Sequence, residues 1–153
     1  MKRSWIFLAL LFWANPALAV EHSFPPLTDL KADLKAASNR NQAVVLVFVA
    51  DDCPFCVALE EQILGPMRAS GEYAPQAVVR MVAFDRPATR AKGAEGQNIL
   101  YKDLVDQYKI SVTPTVVFLD PQGKTSPEPL IGFNGADFYW GDLDQRIAAA
   151  RGL

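Results

Sequence analysis

Cysteine and histidine are scarce in this sequence: its 153 residues include two cysteines and a single histidine, His22. A structural zinc site takes four protein ligands, so a zinc centre at the cysteines would be two ligands short. The cysteines, Cys53 and Cys56, stand only three positions apart. A disulfide that closes so short a loop contributes only about 2 kcal/mol to stability. The pair therefore favours redox chemistry over the two alternatives, a purely structural bridge and a metal site.

After the first residues of the chain, no apolar run is long enough to span a membrane. At the start, Lys2 and Arg3 precede nine apolar residues, 5–13 (WIFLALLFW), and small residues follow at 17–19 (ALA). This is the layout of a secretory signal peptide, with cleavage predicted after Ala19. The apolar run is too short for the alternative, a membrane anchor, which needs ~20 residues. We therefore expect export to the periplasm, no stable membrane insertion, and one domain formed by residues 20–153.

Basic charge is not in excess. The chain has 15 lysines and arginines against 17 aspartates and glutamates, and the predicted leader carries two of the basic residues. The mature chain therefore has 13 basic and 17 acidic residues, a formal net charge of −4. This acidic balance argues against nucleic acid or an anionic membrane surface as a partner.

Hydrophobic patterning predicts an α/β fold. Residues 43–50 (AVVLVFVA) are so apolar that we expect a central strand buried on both faces. Further strands are predicted at 78–84, 115–119 and 130–133, and helices at 27–38, 54–67, 99–108 and 137–150. Gly65 and Pro66 are expected to bend or end the second helix, and the polar insertion 85–98 to form a surface loop or a frayed helix. This order implies a central mixed β-sheet flanked by helices on both faces.

The cysteine pair lies where a strand gives way to a helix. Cys53 is expected at the N-cap of that helix and Pro54 at its first position, where a missing N–H costs nothing. Backbone N–H groups and the helix dipole stabilise a thiolate there, and the thiolate is the attacking species in thiol–disulfide exchange. Cys56 lies on the apolar face of the helix and should be the more buried partner. We predict that an exposed Cys53 attacks and that Cys56 resolves the mixed disulfide.

Two segments, residues 45–64 (VLVFVADDCPFCVALEEQIL) and 108–124 (YKISVTPTVVFLDPQGK), resemble a known family. They are similar to the thioredoxin superfamily, in particular to periplasmic thioredoxin-like proteins of the SoxW type, and more distantly to the Dsb oxidoreductases. The resemblance covers about residues 27–150 and depends on C-P-F-C after an apolar strand and on V-T-P before a later one. It implies a thioredoxin-like fold and a redox-active Cys53–Cys56 disulfide that needs no further cofactor and no metal.

The resemblance also implies a substrate-binding role for Thr113 and Pro114. Family members carry a cis-proline facing the cysteines at the position of Pro114. It holds the preceding backbone for pairing with an extended substrate segment, a form of β-strand addition. The residues alone are equally compatible with an ordinary proline at the start of a strand. Phe55, between the cysteines, is predicted to be exposed and to contact a partner.

Several positions depart from the family's pattern. Val47 stands where thioredoxins carry a buried aspartate that is thought to help deprotonate the second cysteine, and Asp52 stands where tryptophan is common. The dipeptide between the cysteines is Pro-Phe, whereas cytosolic thioredoxins have Gly-Pro. Carboxylates at Asp51 and Asp52 would raise the pKa of a neighbouring thiol, unless they point into water. We therefore predict a reductant or an isomerase-type partner rather than a strong oxidant.

Two further points stay open at the level of sequence. Glu60 and Glu61 follow the cysteines by one turn and are candidates for a proton relay, although a solvated helix face is the favoured interpretation. An oxidoreductase would act on protein thiols and disulfides and would need a membrane redox donor or acceptor. The alternative is a non-catalytic module that binds a peptide or protein in the same groove and keeps a permanent Cys53–Cys56 bridge.

Overall fold

Two β-sheets, one large and one small, occur in the computed structural model, which describes residues 22–153. The strands are β1 (Ala43–Val49), β2 (Ala77–Ala83), β3 (Arg90–Lys92), β4 (Asn98–Leu100), β5 (Thr115–Leu119) and β6 (Leu130–Ile131). The main sheet has the order β2-β1-β5-β6. In it β1 is parallel to β2 and antiparallel to β5, and β5 is antiparallel to β6. The predicted signal peptide, residues 1–19, lies outside the described residues.

Helices pack on both faces of the main sheet. They are α1 (Leu30–Arg40), α2 (Pro54–Leu59), a π-helical turn (Glu60–Leu64), α3 (Gly65–Ser70), α4 (Tyr101–Gln107) and α5 (Ala136–Ala150). Helix α4 begins two residues later than predicted, because Ile99 and Leu100 lie in β4. The predicted fold class, a mixed sheet with helices on both faces, is confirmed. Between residues 22 and 153, no helix is long and apolar enough to cross a bilayer.

The central strand β1 explains why both faces of the sheet carry helices. All seven of its residues are buried, as the continuous apolar run predicted. Val45 and Val47 belong to a buried cluster with residues of α2, α3 and α5, whereas Leu46 and Phe48 belong to a second cluster with residues of α1 and α4. A fully buried side chain of this size contributes roughly 1.5–3 kcal/mol. Strand β1 therefore anchors both halves of the core.

Helix α1 begins later than the prediction, which started it at Leu27. Its N-cap is Asp29, whose carboxylate accepts a hydrogen bond at 2.9 Å from a backbone N–H of the first turn. Leu27 instead ends a segment, residues 22–27, which we call the strap. The N–H of Leu27 donates to the carbonyl oxygen of Met81 at 2.9 Å. The N–H of Met81 donates to the carbonyl oxygen of Pro25 at 3.0 Å. The strap therefore covers the outer edge of β2.

The polar insertion, residues 85–98, is neither the loop nor the frayed helix that was predicted. It leads through a turn into the β3–β4 hairpin, in which Ala91 pairs with Ile99. Ala91 is buried, and the N–H of Lys92 donates to the carbonyl oxygen of Thr28 at 2.9 Å. The hairpin is therefore anchored by contacts with a distant segment, which a polar, glycine-containing pattern does not reveal.

The helical run after the cysteines continues through Gly65 and Pro66, so the helix does not end there, which was one of the two predicted outcomes. Helix α2, the π-helical turn and α3 follow one another without an intervening loop. The N–H of Gly65 donates to the carbonyl oxygen of Glu60, five residues earlier, which is π-helical pairing. This wider turn precedes a proline that has no N–H to donate. Such turns are frequent at functional sites, and this one begins four residues after Cys56.

Candidate active site

Cys53 is the N-cap of α2, as predicted. Its backbone is extended (φ −127°, ψ 98°), and Pro54 takes the first helical position. The N–H of Cys56 donates to Cys53 Sγ at 3.1 Å, and the N–H of Val57 donates to the Cys53 carbonyl oxygen at 3.1 Å. The start of the helix therefore aims a donor at the sulfur, where it would stabilise the negative charge of a thiolate.

Cys53 and Cys56 form a disulfide, with their Cα atoms 5.2 Å apart. Both residues are buried: Cys53 keeps 9% of its accessible surface and Cys56 keeps 5%. Cys56 is the more buried of the two, as predicted, but the difference is small. The expectation that Cys53 is an exposed side chain was wrong for this oxidised form, because the loop before β5 packs over its sulfur.

That loop brings Thr113 and Pro114 to Cys53, the predicted attacking cysteine. The Thr113–Pro114 peptide bond is cis. The carbonyl oxygen of Thr113 lies 3.6 Å from Cys53 Sγ, and the Thr113 hydroxyl donates to the same sulfur at 3.5 Å. The hydroxyl of Thr115 donates to the carbonyl oxygen of Val112 at 2.8 Å, which holds the loop in place. The two residues that the resemblance singled out therefore contact or border the disulfide.

Phe55 is exposed, with 61% of its surface accessible, as predicted. It borders a groove of about 540 Å³, which we call the Phe55 groove. The other lining residues come from β6, the loop after it and α5: Leu130, Ile131, Gly132, Phe133, Asn134, Tyr139 and Asp142. Sequence reasoning missed this set, for which the short apolar segment 130–133 was the only signal. A mostly apolar groove next to a disulfide suits the apolar side chains of a partner.

A second cavity, of about 620 Å³, lies beside Cys56 and is called the Cys56 cleft. It is lined by His22, Val49, Ala50, Asp51, Cys56, Val57, Glu60, Glu61 and Arg86. Glu60 and Glu61, which the sequence favoured as a solvated face, therefore share a cavity with the predicted resolving cysteine. The carboxylate of Glu60 accepts a hydrogen bond from the N–H of Ser23 in the strap. Within residues 22–153, no three histidine, cysteine or acidic side chains are grouped as metal ligands.

The carboxylate of Asp51 is paired. It lies 2.6 Å from the guanidinium of Arg86, and the N–H of Asp51 donates to the Asp85 carboxylate at 2.9 Å. The hydrogen bond and the charge of Asp51 raise the pKa of Arg86, so the guanidinium keeps its positive charge. Asp52 is exposed, where water screens its charge. Both observations weaken the prediction that neighbouring carboxylates raise the pKa of the Cys53 thiol.

Val47 is fully buried in the cluster that contains both cysteines. It occupies the position on β1 for which the resemblance implied a buried aspartate. A valine side chain cannot accept a proton, so the deprotonation of Cys56 requires another group or solvent.

Comparison with known proteins agrees with this geometry. The thioredoxin-like domain family matches residues 30–133, which is more than half of the chain. The chain belongs to the thioredoxin-like family. Its structure is similar to that of a thioredoxin from Thermus thermophilus, at 24% identity and a TM-score of 0.58, with 79% of this chain and 85% of that chain covered.

The structure is also similar to the C-terminal domain of DsbD from Neisseria meningitidis. The oxidised form of that domain is 24% identical, with a TM-score of 0.55 and coverage of 79% of this chain and 98% of that chain. The reduced form is 25% identical, with a TM-score of 0.53 and coverage of 76% and 93%. No curated protein matches the sequence significantly. These neighbours establish the fold, and the likeness to the SoxW type stays a prediction.

Family membership and the site together define the class of activity. The family domain contains a C-x-x-C pair, and this pair forms a disulfide at the start of a helix and faces a Thr-Pro loop. The chain is a thiol–disulfide oxidoreductase.

Proposed function

We propose that the mature chain is exported to the periplasm and exchanges its Cys53–Cys56 dithiol or disulfide with protein substrates. The observation that carries this proposal is the 3.6 Å separation between Cys53 Sγ and the Thr113 carbonyl oxygen. A backbone acceptor is thereby placed beside the attacking sulfur, where an extended segment could pair with it. Export depends on the predicted leader, residues 1–19.

The exchange has two balanced steps. The Cys53 thiolate attacks one sulfur of a substrate disulfide, forms a mixed disulfide, and displaces the other substrate sulfur as a thiolate that takes up a proton. The Cys56 thiolate then attacks Cys53 Sγ. This attack forms the Cys53–Cys56 bond seen here and releases the second substrate thiolate. Two electrons pass from the chain to the substrate, and the reverse sequence oxidises a substrate dithiol.

Substrate binding uses the backbone and a groove. In this proposal Thr113 and Pro114 present main-chain groups to an extended substrate segment, which gives recognition that is independent of the substrate's side chains. Phe55 and the Phe55 groove add contacts with apolar side chains near the substrate disulfide. Protein segments with a solvent-accessible disulfide and apolar neighbours would be the preferred substrates.

The direction of exchange is proposed to be reductive or isomerising, with a membrane redox protein that recycles the pair. It is decided by the reduction potential of Cys53–Cys56, measured in glutathione buffers with alkylation of free thiols. A value near the ~−270 mV of thioredoxin supports the proposal, whereas one near the ~−120 mV of DsbA reverses the direction.

The roles of the cysteines are tested by trapping. Cys56→Ala should accumulate mixed disulfides with oxidised or scrambled protein substrates, because Cys53 attacks a substrate disulfide and nothing resolves the product, whereas Cys53→Ala should accumulate none. Equal trapping by both variants, or by neither, contradicts these roles. In a turbidity assay with insulin and dithiothreitol, the wild type should exceed the uncatalysed rate. A rate equal to the uncatalysed one would instead indicate a binding module with a permanent bridge.

A further inference from the structure

We propose that Glu60 accepts, through the Cys56 cleft, the proton that Cys56 must lose before it attacks the mixed disulfide. This inference rests on the proposed function and assigns a residue to its second step. The step needs a thiolate, yet Cys56 is 5% exposed and burial in apolar surroundings disfavours the charged form. Val47, which lies in the same buried cluster as both cysteines at the position where the family carries an aspartate, offers no proton acceptor.

Helix geometry places Glu60 on the same face as Cys56. The N–H of Glu60 donates to the carbonyl oxygen of Cys56, four residues earlier. Side chains at this spacing are neighbours, with Cβ atoms about 5–6 Å apart. Both residues line the Cys56 cleft, whose volume admits several water molecules at about 30 Å³ each. A proton can therefore pass from the sulfur to the carboxylate within the cleft.

The carboxylate of Glu60 is held in position by the strap. The N–H of Ser23 donates to Glu60 Oε1, and the guanidinium of Arg68 donates to the carbonyl oxygen of Ser23. The strap is itself fixed to β2 by the two hydrogen bonds with Met81. Glu60 Oε2 is the oxygen to which we assign the proton. This fixation distinguishes Glu60, which is half-buried, from its exposed neighbour Glu61.

Other charged groups face the same cleft and set its electrostatics. They are His22 of the strap, Asp51 just after β1, and Arg86 in the turn after β2. Asp51 and Arg86 compensate each other at 2.6 Å. The negative charge of Asp51, at the β1 end of the cleft, is therefore compensated by Arg86.

The proton and electron changes balance. The proton of Cys56 moves through cleft solvent to Glu60, and the sulfur electron pair forms the bond to Cys53 Sγ. The bond between Cys53 and the substrate sulfur breaks, with its electron pair on the substrate thiolate. That thiolate takes a proton from solvent, and Glu60 returns its proton to solvent.

The experiment uses the reduced mature protein and Ellman's reagent, an aromatic disulfide whose two thiolates are released one after the other. The first release reports attack by Cys53, and the second reports resolution by Cys56. Glu60→Gln keeps an oxygen acceptor for the Ser23 N–H, so the strap should stay in place, and thermal unfolding checks this. Near pH 7, Glu60→Gln should slow the second release at least tenfold, since a positioned base contributes ~10²–10⁴-fold, and should leave the first unchanged.

A pH profile separates a proton acceptor from a structural support. The defect of Glu60→Gln should shrink above about pH 9, where a thiol ionises without help. The matched variant Glu72→Gln, at an exposed glutamate that does not line the Cys56 cleft, should change neither release more than twofold. A second release within twofold of wild type near pH 7, a defect that is constant with pH, or an equal defect in the first release would each overturn the inference. If wild-type Cys53 gives no first release, the proposed function itself fails.

Discussion

The hydroxyl of Thr113 donates a hydrogen bond to Cys53 Sγ at 3.5 Å, although 60 positions separate the two residues in the sequence. A donor aimed at sulfur stabilises the thiolate more than the neutral thiol. The residue whose backbone is proposed to pair with the substrate therefore also contacts the proposed nucleophile.

Thr113→Val should raise the pKa of the Cys53 thiol by about one unit, because it removes this donor and one unit corresponds to about 1.4 kcal/mol. Less thiolate near neutral pH means a slower first attack. The pKa is measured from the pH dependence of alkylation of Cys53 in a Cys56→Ser background. Thr113→Ser keeps a hydroxyl and should stay close to wild type. An unchanged or lowered pKa in Thr113→Val would show that the hydroxyl does not act on the thiolate.

Features that depend on neighbours in sequence were predictable. The burial of β1 follows from an unbroken apolar run, and the N-cap position of Cys53 follows from a strand end and a proline at the next position. The strand Thr115–Leu119 was predicted with its observed bounds. In each case the signal lies within a few residues of the feature, so no knowledge of tertiary contacts was needed.

Features that depend on distant segments were not predictable from pattern. The burial of Cys53 comes from the loop at Thr113, and the Cys56 cleft is closed in part by His22 of the strap. The hairpin within residues 85–98 depends on a backbone bond to Thr28. These contacts join residues that lie tens of positions apart, and no local periodicity records them. Only the resemblance to a family indicated that the segment containing Thr113 and Pro114 meets the cysteines.

Asp33→Asn should lower the free energy of unfolding by about 2 kcal/mol. Asp33 on α1 receives two hydrogen bonds from the guanidinium of Arg80 on β2, at 2.6 and 2.9 Å. Breaking a fully buried pair costs about 3–5 kcal/mol. Breaking this pair should cost less, because the side chains of Arg80 and Asp33 are 26% and 11% accessible to solvent. Urea unfolding measures the change.

The matched control for that variant is Asp51→Asn. The Asp51–Arg86 pair has the same 2.6 Å separation, but its side chains are 54% and 63% exposed. Exposed pairs contribute little because water screens them, so the urea midpoint should stay almost unchanged. Equal losses in the two variants would mean that burial is not what sets the contribution of the Asp33 pair.

Two buried tyrosines should respond differently to loss of the hydroxyl. The hydroxyl of Tyr101 donates to the carbonyl oxygen of Leu27 at 2.8 Å, so Tyr101→Phe leaves a buried acceptor unpaired and should cost about 1–2 kcal/mol. The hydroxyl of Tyr139 is buried and has no hydrogen-bond partner among residues 22–153. Tyr139→Phe should therefore leave stability unchanged or raise it by about 1 kcal/mol. Urea unfolding of both variants tests this, and a loss in Tyr139→Phe as large as that in Tyr101→Phe would contradict it.

Stability should decline at alkaline pH. Burial raises the pKa of all four tyrosines, Tyr73, Tyr101, Tyr108 and Tyr139. In the unfolded chain tyrosine ionises near pH 10, so above about pH 10 the unfolded state binds fewer protons than the folded one. The contribution of the neutral tyrosines to the free energy of unfolding is therefore complete below about pH 10 and is lost as the pH rises further. Urea unfolding between about pH 8 and 11, with phenolate absorbance of folded and unfolded protein, should show this; a constant free energy of unfolding would contradict it.

Phe55→Ala should raise the KM for a protein substrate about fivefold and leave kcat nearly unchanged. Phe55 is 61% exposed at the edge of the Phe55 groove, and truncating an aromatic anchor at an interface typically costs more than about 1 kcal/mol. Leu153→Ala removes a similarly exposed apolar side chain at the end of the chain and should not change KM. Ellman's reagent has no peptide to fill the groove, so its first release should be the same in Phe55→Ala and wild type. Because the reagent does not contact the groove, Phe55→Ala could slow its reaction only by changing the reactivity of the Cys53 sulfur. A slowed reaction would therefore assign Phe55 to the chemistry of Cys53 rather than to substrate binding.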